Sequence, residues 1–268
     1  MKKPILLLLL VLGVTLWADN GSKTAQPTSN KLISSEEPAV RKLFDAYLQQ
    51  LKDLKINESI FTQDYTSTAS DGTVAGLKEQ KILLEFLRLM TAYKLDNDFM
   101  FKLVNIISND TMLKITKASK EDAVAIKALK GVFHPQATLS SAIKAYQQTP
   151  GSEPVSAEEM AEFKKMENSP EGKILLEEIR QSIRNTFAES LKAMTVEMAN
   201  IPRDYLNTFA IKSIKITGDR ATVVSTTYDT NEKKLEETTW ELVKKDGKWL
   251  ISKDKSQYAN TKNDAKNK

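Results

Sequence analysis

The pattern between residues 214 and 251 constrains the fold more than any other part of the chain. Ile214 and Ile216 alternate with polar residues up to Gly218-Asp219, and Thr222, Val224, Thr226 and Tyr228 alternate beyond it. After a polar stretch at 229–234, Thr238, Trp240 and Leu242 mark one face of a third run. Asp246-Gly247 then leads into Lys248-Trp249-Leu250-Ile251. Alternation with period 2 puts successive side chains on opposite faces of a strand, and Asp-Gly between two such runs is the strongest short-range hairpin signal. The pattern predicts an antiparallel meander with one face that must be covered.

Helical spacing elsewhere supplies the cover. Val40, Leu43, Phe44, Tyr47, Leu48, Leu51 and Leu54 recur on one helical face. Ser34 and Glu37 have the spacing of a capping box before them, and Pro38 is tolerated in the first turn. Residues 65–69 are β-branched and aromatic and predict a strand, with Asp71-Gly72 as a turn. A second helix is expected over 77–93, with Ile82, Leu83, Phe86, Leu87 and Met90 as its stripe. Residues 101–116 predict two strands about Ser108-Asn109-Asp110, with a helix as the competing assignment. Ser119 with Asp122, and residues 139–148, predict further helices, and 149–154 reads as an internal linker. Ser156 and Glu159 form a capping box opening a helix to Met166. A long helix follows from Ser169-Pro170-Glu171 to Ala199, carrying Leu176, Ile179, Ile183, Phe187, Met194 and Met198, with Pro202 ending it.

The expected fold class is therefore α+β: helices packed on a C-terminal antiparallel β-meander, with a large helical insertion at about 119–207. A single elaborated domain over 34–253 is expected. The alternative is two diverged copies, since Ile106-Ile-Ser-Asn-Asp-Thr-Met and Ile214-Lys-Ile-Thr-Gly-Asp-Arg-Ala are faintly alike.

The two ends read differently. Lys2 and Lys3, the apolar run from Ile5 to Val14, and Thr15-Leu16-Trp17-Ala18 have the three parts of a secretory signal peptide over 1–18. The uncharged run is short of the ~20 residues that span a bilayer, so cleavage is expected and an uncleaved anchor is the alternative. Residues 19–33 read as a flexible tether and 254–268 as a disordered basic tail. The expected location is the bacterial periplasm or the medium. The chain has no cysteine, which excludes disulfides, thiolate metal sites and lipidation at a cleavage-site cysteine. Net charge is +4 from 39 basic and 35 acidic side chains, and loss of Lys2 and Lys3 leaves +2. Lysines alternate with acids, so no basic face for nucleic acid is expected.

Ile214-Lys-Ile-Thr-Gly-Asp-Arg-Ala-Thr-Val-Val, followed by Trp240-Glu-Leu-Val-Lys-Lys-Asp-Gly-Lys-Trp-Leu-Ile251, resembles the closing sheet of cystatin-like or SnoaL-like domains. These belong to the nuclear-transport-factor-two-like superfamily, which includes small exported bacterial proteins. Phe61-Thr-Gln-Asp-Tyr-Thr and Asp71-Gly72-Thr-Val, between two helices, resemble the first half of the same fold. The likeness covers roughly 35–95 and 209–252. It implies a cone-shaped space between sheet and helices that holds small molecules in some relatives. Tyr47, Phe61, Tyr65 and Trp240 are the positions that would line it, and Asp64 is the carboxylate that would act there as a base.

The chemistry in the sequence is sparse. His134 is the only histidine, between helices in Val132-Phe-His-Pro135, so paired-histidine metal sites are impossible. No G-x-S-x-G elbow, P-loop or dinucleotide fingerprint occurs, and no cofactor is expected. Asp96-Asn97-Asp98 lacks the further spaced carboxylates of a calcium loop. The expectation is an exported, non-enzymatic binding or accessory protein for an unknown small molecule or protein partner. The alternatives are a SnoaL-like enzyme using Asp64, or an interaction module built on the helix over 171–199.

Overall fold

The computed structural model describes residues 35–70, 72–148, 154–229 and 234–258. The expected signal peptide at 1–18, the tether at 19–33, Ser34, and the linker residues 149–153 lie outside them. In chain order the elements are α1 Glu37–Asp53, a 3-10 turn Glu58–Ile60, β1 Phe61–Thr68, β2 Val74–Gly76, α2 Leu77–Thr91 and α3 Asn97–Ile107. Then come α4 Asp110–Ile115, α5 Lys120–Phe133, α6 Leu139–Gln147, α7 Ala157–Met166 and α8 Pro170–Thr208. The meander closes the chain as β3 Ala210–Thr217, β4 Arg220–Asp229, β5 Lys234–Lys245 and β6 Lys248–Tyr258. The fold class is α+β. None of the described helices is long and apolar enough to cross a membrane.

The chain separates into two compact units. Among the described residues, those within 85–199 form a helical unit, and those within 35–84 together with 200–258 form a sheet unit.

In the sheet unit six strands pair in the order β2-β1-β6-β5-β4-β3. The four meander strands are antiparallel, as their alternation predicts. Asp246 (φ 49°) and Gly247 (φ 75°) both adopt the left-handed conformation that a two-residue hairpin turn requires. β1 lies parallel to β6, so the N-terminal strand closes onto the C-terminal one. The apolar face of α1, with Val40, Leu43, Phe44 and Tyr47 buried, packs with Val223, Trp240, Leu242, Trp249 and Ile251 in one core. Glu36, rather than Ser34, stands at the N-cap of α1. Its carboxylate accepts from Lys244 Nζ at 2.9 Å and Trp249 Nε1 at 3.0 Å, tying the helix start to the β5–β6 hairpin.

The helical unit corrects two expectations. Residues 101–116 form α3 and α4 rather than a hairpin. Asn109 caps α4, its side-chain oxygen accepting from Thr111 N at 2.9 Å. The apolar pairs Leu103-Val104 and Ile106-Ile107 are consecutive because α3 is covered on most sides, a pattern that period counting cannot separate from a buried strand. The helical segment thus starts well before 119, and Ile106–Met112 shares no structure with the β-hairpin at 214–221. Pro202 does not end α8, which runs to Thr208. A proline removes one backbone donor from a helix. Here Tyr205 and Phe209 beyond it pack against the sheet core, which compensates. Of the expected stripe on α8, Leu176, Phe187, Met194 and Met198 are buried and Ile179 and Ile183 are half-buried.

Candidate functional site

The core face of the sheet changes character along its strands. On β4 the inward residues run Ala221, Val223, Ser225, Thr227, all buried. On β5, reading back along the same face, Leu242 and Trp240 give way to Thr238 and Glu236. The hydroxyls are satisfied locally: Trp240 Nε1 donates to Ser225 Oγ at 2.8 Å, and Thr238 and Ser256 hydroxyls meet at 2.9 Å. A buried polar group costs free energy unless it is hydrogen-bonded, so a polar end to a sheet's core face needs an explanation beyond folding.

At the centre of that polar end is Asp254, only 5 % exposed. It pairs with Trp240 on β5 and with Ser67 on β1. Tyr65 Oη donates to Asp254 Oδ1, Ser67 Oγ donates to Oδ2 at 2.7 Å, and Gln80 Nε2 donates to Tyr65 Oη at 2.7 Å. Among the described residues no lysine or arginine forms an ion pair with it. Burial raises the Asp254 pKa above the ordinary carboxylate value, and the hydrogen bonds from Tyr65 and Ser67 only partly oppose that.

Aromatic rings surround this carboxyl. Tyr47 on α1 lies 4.9 Å from Trp240 and 6.5 Å from Tyr205 on α8, and Phe61 lies 4.5 Å from Tyr65, between ring centroids. Burial first, and then the charge of Asp254, push the Tyr47 and Tyr65 phenols well above their usual range. Tyr205 is raised for the same first reason, with Tyr47, Asp254 and Glu236 adding to it. All three phenols remain neutral donors.

The sequence-derived residues divide. Tyr47, Phe61, Tyr65 and Trp240 are buried and meet in one cluster. Asp64 does not join them: it is exposed on β1, and the Thr62 side chain and its own backbone amide hold its carboxyl below the usual range. An exposed, readily ionised carboxylate is not the cavity base that the resemblance implied.

The carboxylate that does enter the cluster, Asp254, falls where a disordered tail was expected. The strand continues to Tyr258, and a β-bulge explains the rest. Glu241 pairs with Lys253 and Leu242 with Ile251, leaving Ser252 without a partner position. One extra residue reverses the inside–outside phase of everything after it. Counting by twos from Trp249 and Ile251 would bury Lys253, whereas the bulge buries Asp254 instead. The only signal in the sequence was the length of the alternating Lys/Asp/Ser run beyond Ile251, too polar to read as a strand.

Among the described residues no group of three or more histidine, aspartate or glutamate side chains converges to hold a metal. Comparison with protein families, with curated proteins and with solved structures gives no match.

Proposed function

We propose that the chain is an exported, non-enzymatic binding or accessory protein of the cystatin-like type, with its ligand held at the polar end of the sheet's core face. The observation that carries the reading is Asp254: a buried carboxylate lacking a cationic partner among the described residues, ringed by Tyr47, Tyr65, Tyr205 and Trp240. Such a group contributes little to stability, and perturbed titratable groups concentrate at functional sites. The helix-on-meander arrangement of the sheet unit agrees with the resemblance in its sequence, and the N-terminal pattern supports export.

The test is native mass spectrometry of the full-length protein expressed with its own N-terminus and released gently from the periplasm. A processed mass with a retained small-molecule adduct, lost in Asp254→Asn, is expected. A ligand-free protein, with no compound retained or recovered on re-addition of periplasmic extract, overturns the binding reading. The enzymatic alternative passes from Asp64 to Asp254, whose burial favours the protonated, proton-donating form of the carboxyl. Turnover of a retained compound would establish that alternative.

A further inference from the structure

Resting on the binding reading above, we infer that the Asp254 site takes a small organic cation: a protonated amine or quaternary ammonium group carried on an apolar body.

The argument begins with hydrogen-bond capacity. An ionised carboxylate offers about four lone-pair sites. Asp254 receives one donor on each oxygen, from Tyr65 and Ser67, so acceptor capacity remains on both. The charge environment points the same way. Among the described residues, the groups that bond to, pair with or lie near Asp254 are Tyr65 and Ser67 from β1, Tyr47 from α1, Tyr205 from α8 and Trp240 from β5, all uncharged. An anionic ligand would meet the Asp254 carboxylate in a poorly hydrated place. A cation supplies the missing counter-charge and new N–H donors together.

The rings supply the second half of the recognition. Tyr65 bonds the carboxylate, Trp240 is its cross-strand neighbour, and Tyr47 and Tyr205 pack on from Trp240 in one aromatic cluster; aromatic faces attract desolvated cations and cover an apolar body. A polar approach runs along the strands. From Asp254 the same face passes through the Thr238–Ser256 pair to the Glu236–Tyr258 pair near the strand ends. Ser67, Gln80 and Ser256 are only half-buried, so the cluster is not sealed.

Three matched probes test the assignment: benzylammonium, neutral benzyl alcohol and anionic benzoate, each at millimolar concentration with the full chain. Thermal shift and calorimetry are the readouts. Stabilisation by benzylammonium alone is expected, lost in Asp254→Asn and kept in Asp64→Asn, which removes an exposed carboxylate of the neighbouring strand β1. In the wild-type protein, ammonium affinity should rise by up to about tenfold per pH unit while Asp254 ionises, then level off. That arm does not depend on any variant folding. An equal response to benzyl alcohol or benzoate overturns the inference, as does ammonium binding that survives Asp254→Asn or the absence of any ammonium response. A retained native compound that proves neutral or anionic would overturn the cation assignment while leaving the binding reading in place.

Discussion

Asp254→Asn should make the protein more stable at neutral pH, and the size of the effect should follow pH in a defined way. The carboxyl lies 5 % exposed between strands, with two neutral donors and no cationic partner among the described residues. Burial raises its native pKa, whereas in the unfolded chain it titrates near the reference value of about 3.9. The native state therefore binds the proton more tightly than the unfolded state does. Stability associated with the protonated form is fully present below the unfolded pKa and is lost as pH rises through the native pKa. Each unit of elevation removes about 1.4 kcal/mol. Asparagine keeps the size and the hydrogen bonding: its carbonyl accepts from Tyr65, and its amide donates to the Ser67 hydroxyl. Replacement of a buried charge by a neutral isostere is commonly neutral to stabilising by roughly 1–4 kcal/mol. The assay is urea unfolding of both proteins between pH 3.5 and 8, followed by the near-UV dichroism of Trp240 and Trp249, both buried in the sheet unit. Subtracting one curve from the other cancels every titration the two share. The difference should be near zero below about pH 4 and grow in favour of asparagine until it levels off. A variant that is less stable by a constant amount at every pH would refute the reasoning, because it would show the carboxylate to be a net structural asset.

Trp240→Ala should cost about 3–5 kcal/mol, since the largest fully buried side chain is lost and the buried Ser225 hydroxyl loses its donor; chemical unfolding measures it. Gly172→Ala should destabilise by roughly 1–3 kcal/mol, despite the gain in helix propensity, because its Cβ would stand 2.0 Å from the Met166 carbonyl oxygen; a higher melting temperature by far-UV dichroism would contradict this close approach. Gly247→Ala should cost about 1 kcal/mol or more, the price of a left-handed β-carbon at φ 75° in the β5–β6 turn, read as a lower unfolding midpoint at unchanged slope.

What the sequence revealed follows from where one local rule was sufficient. The meander was legible because alternation, Gly218 and Asp246-Gly247 all specify the same register, and of the five candidate residues Trp240 is the one that lies on it. The Ser156–Glu159 capping box was legible because both of its hydrogen bonds are local, at 3.1 and 2.8 Å. Residues 101–116 misled because a helix buried on most sides loses its polar stripe and with it the 3.6 period. The parallel closure of β1 onto β6 joins residues some 190 apart and leaves no mark in either segment alone. Asp254 was hidden by both effects at once: a distant partner strand made residues 254–258 a strand, and the bulge at Ser252 decided which of them turned inward.

The two buried charges among the described residues argue for different roles. Arg184, 7 % exposed in the helical unit, donates to Glu177 at 2.8 Å and also to Asn97 and Gln181, so its charge is matched and its fork is used. Glu177 is itself bound by Asn97 at 2.9 Å, which closes the network. Breaking such a network strands a charge in the interior, and its presence needs no explanation beyond the packing of α3 on α8. Asp254 has the opposite profile: equally buried, partnered only by neutral hydroxyls, and set where the sheet face turns from apolar to polar. If both residues were kept for stability alone, replacing either by an uncharged side chain should be costly. The expected divergence, with Arg184→Gln destabilising and Asp254→Asn stabilising at pH 7.5, would mark the sheet unit's carboxylate as kept for what it binds.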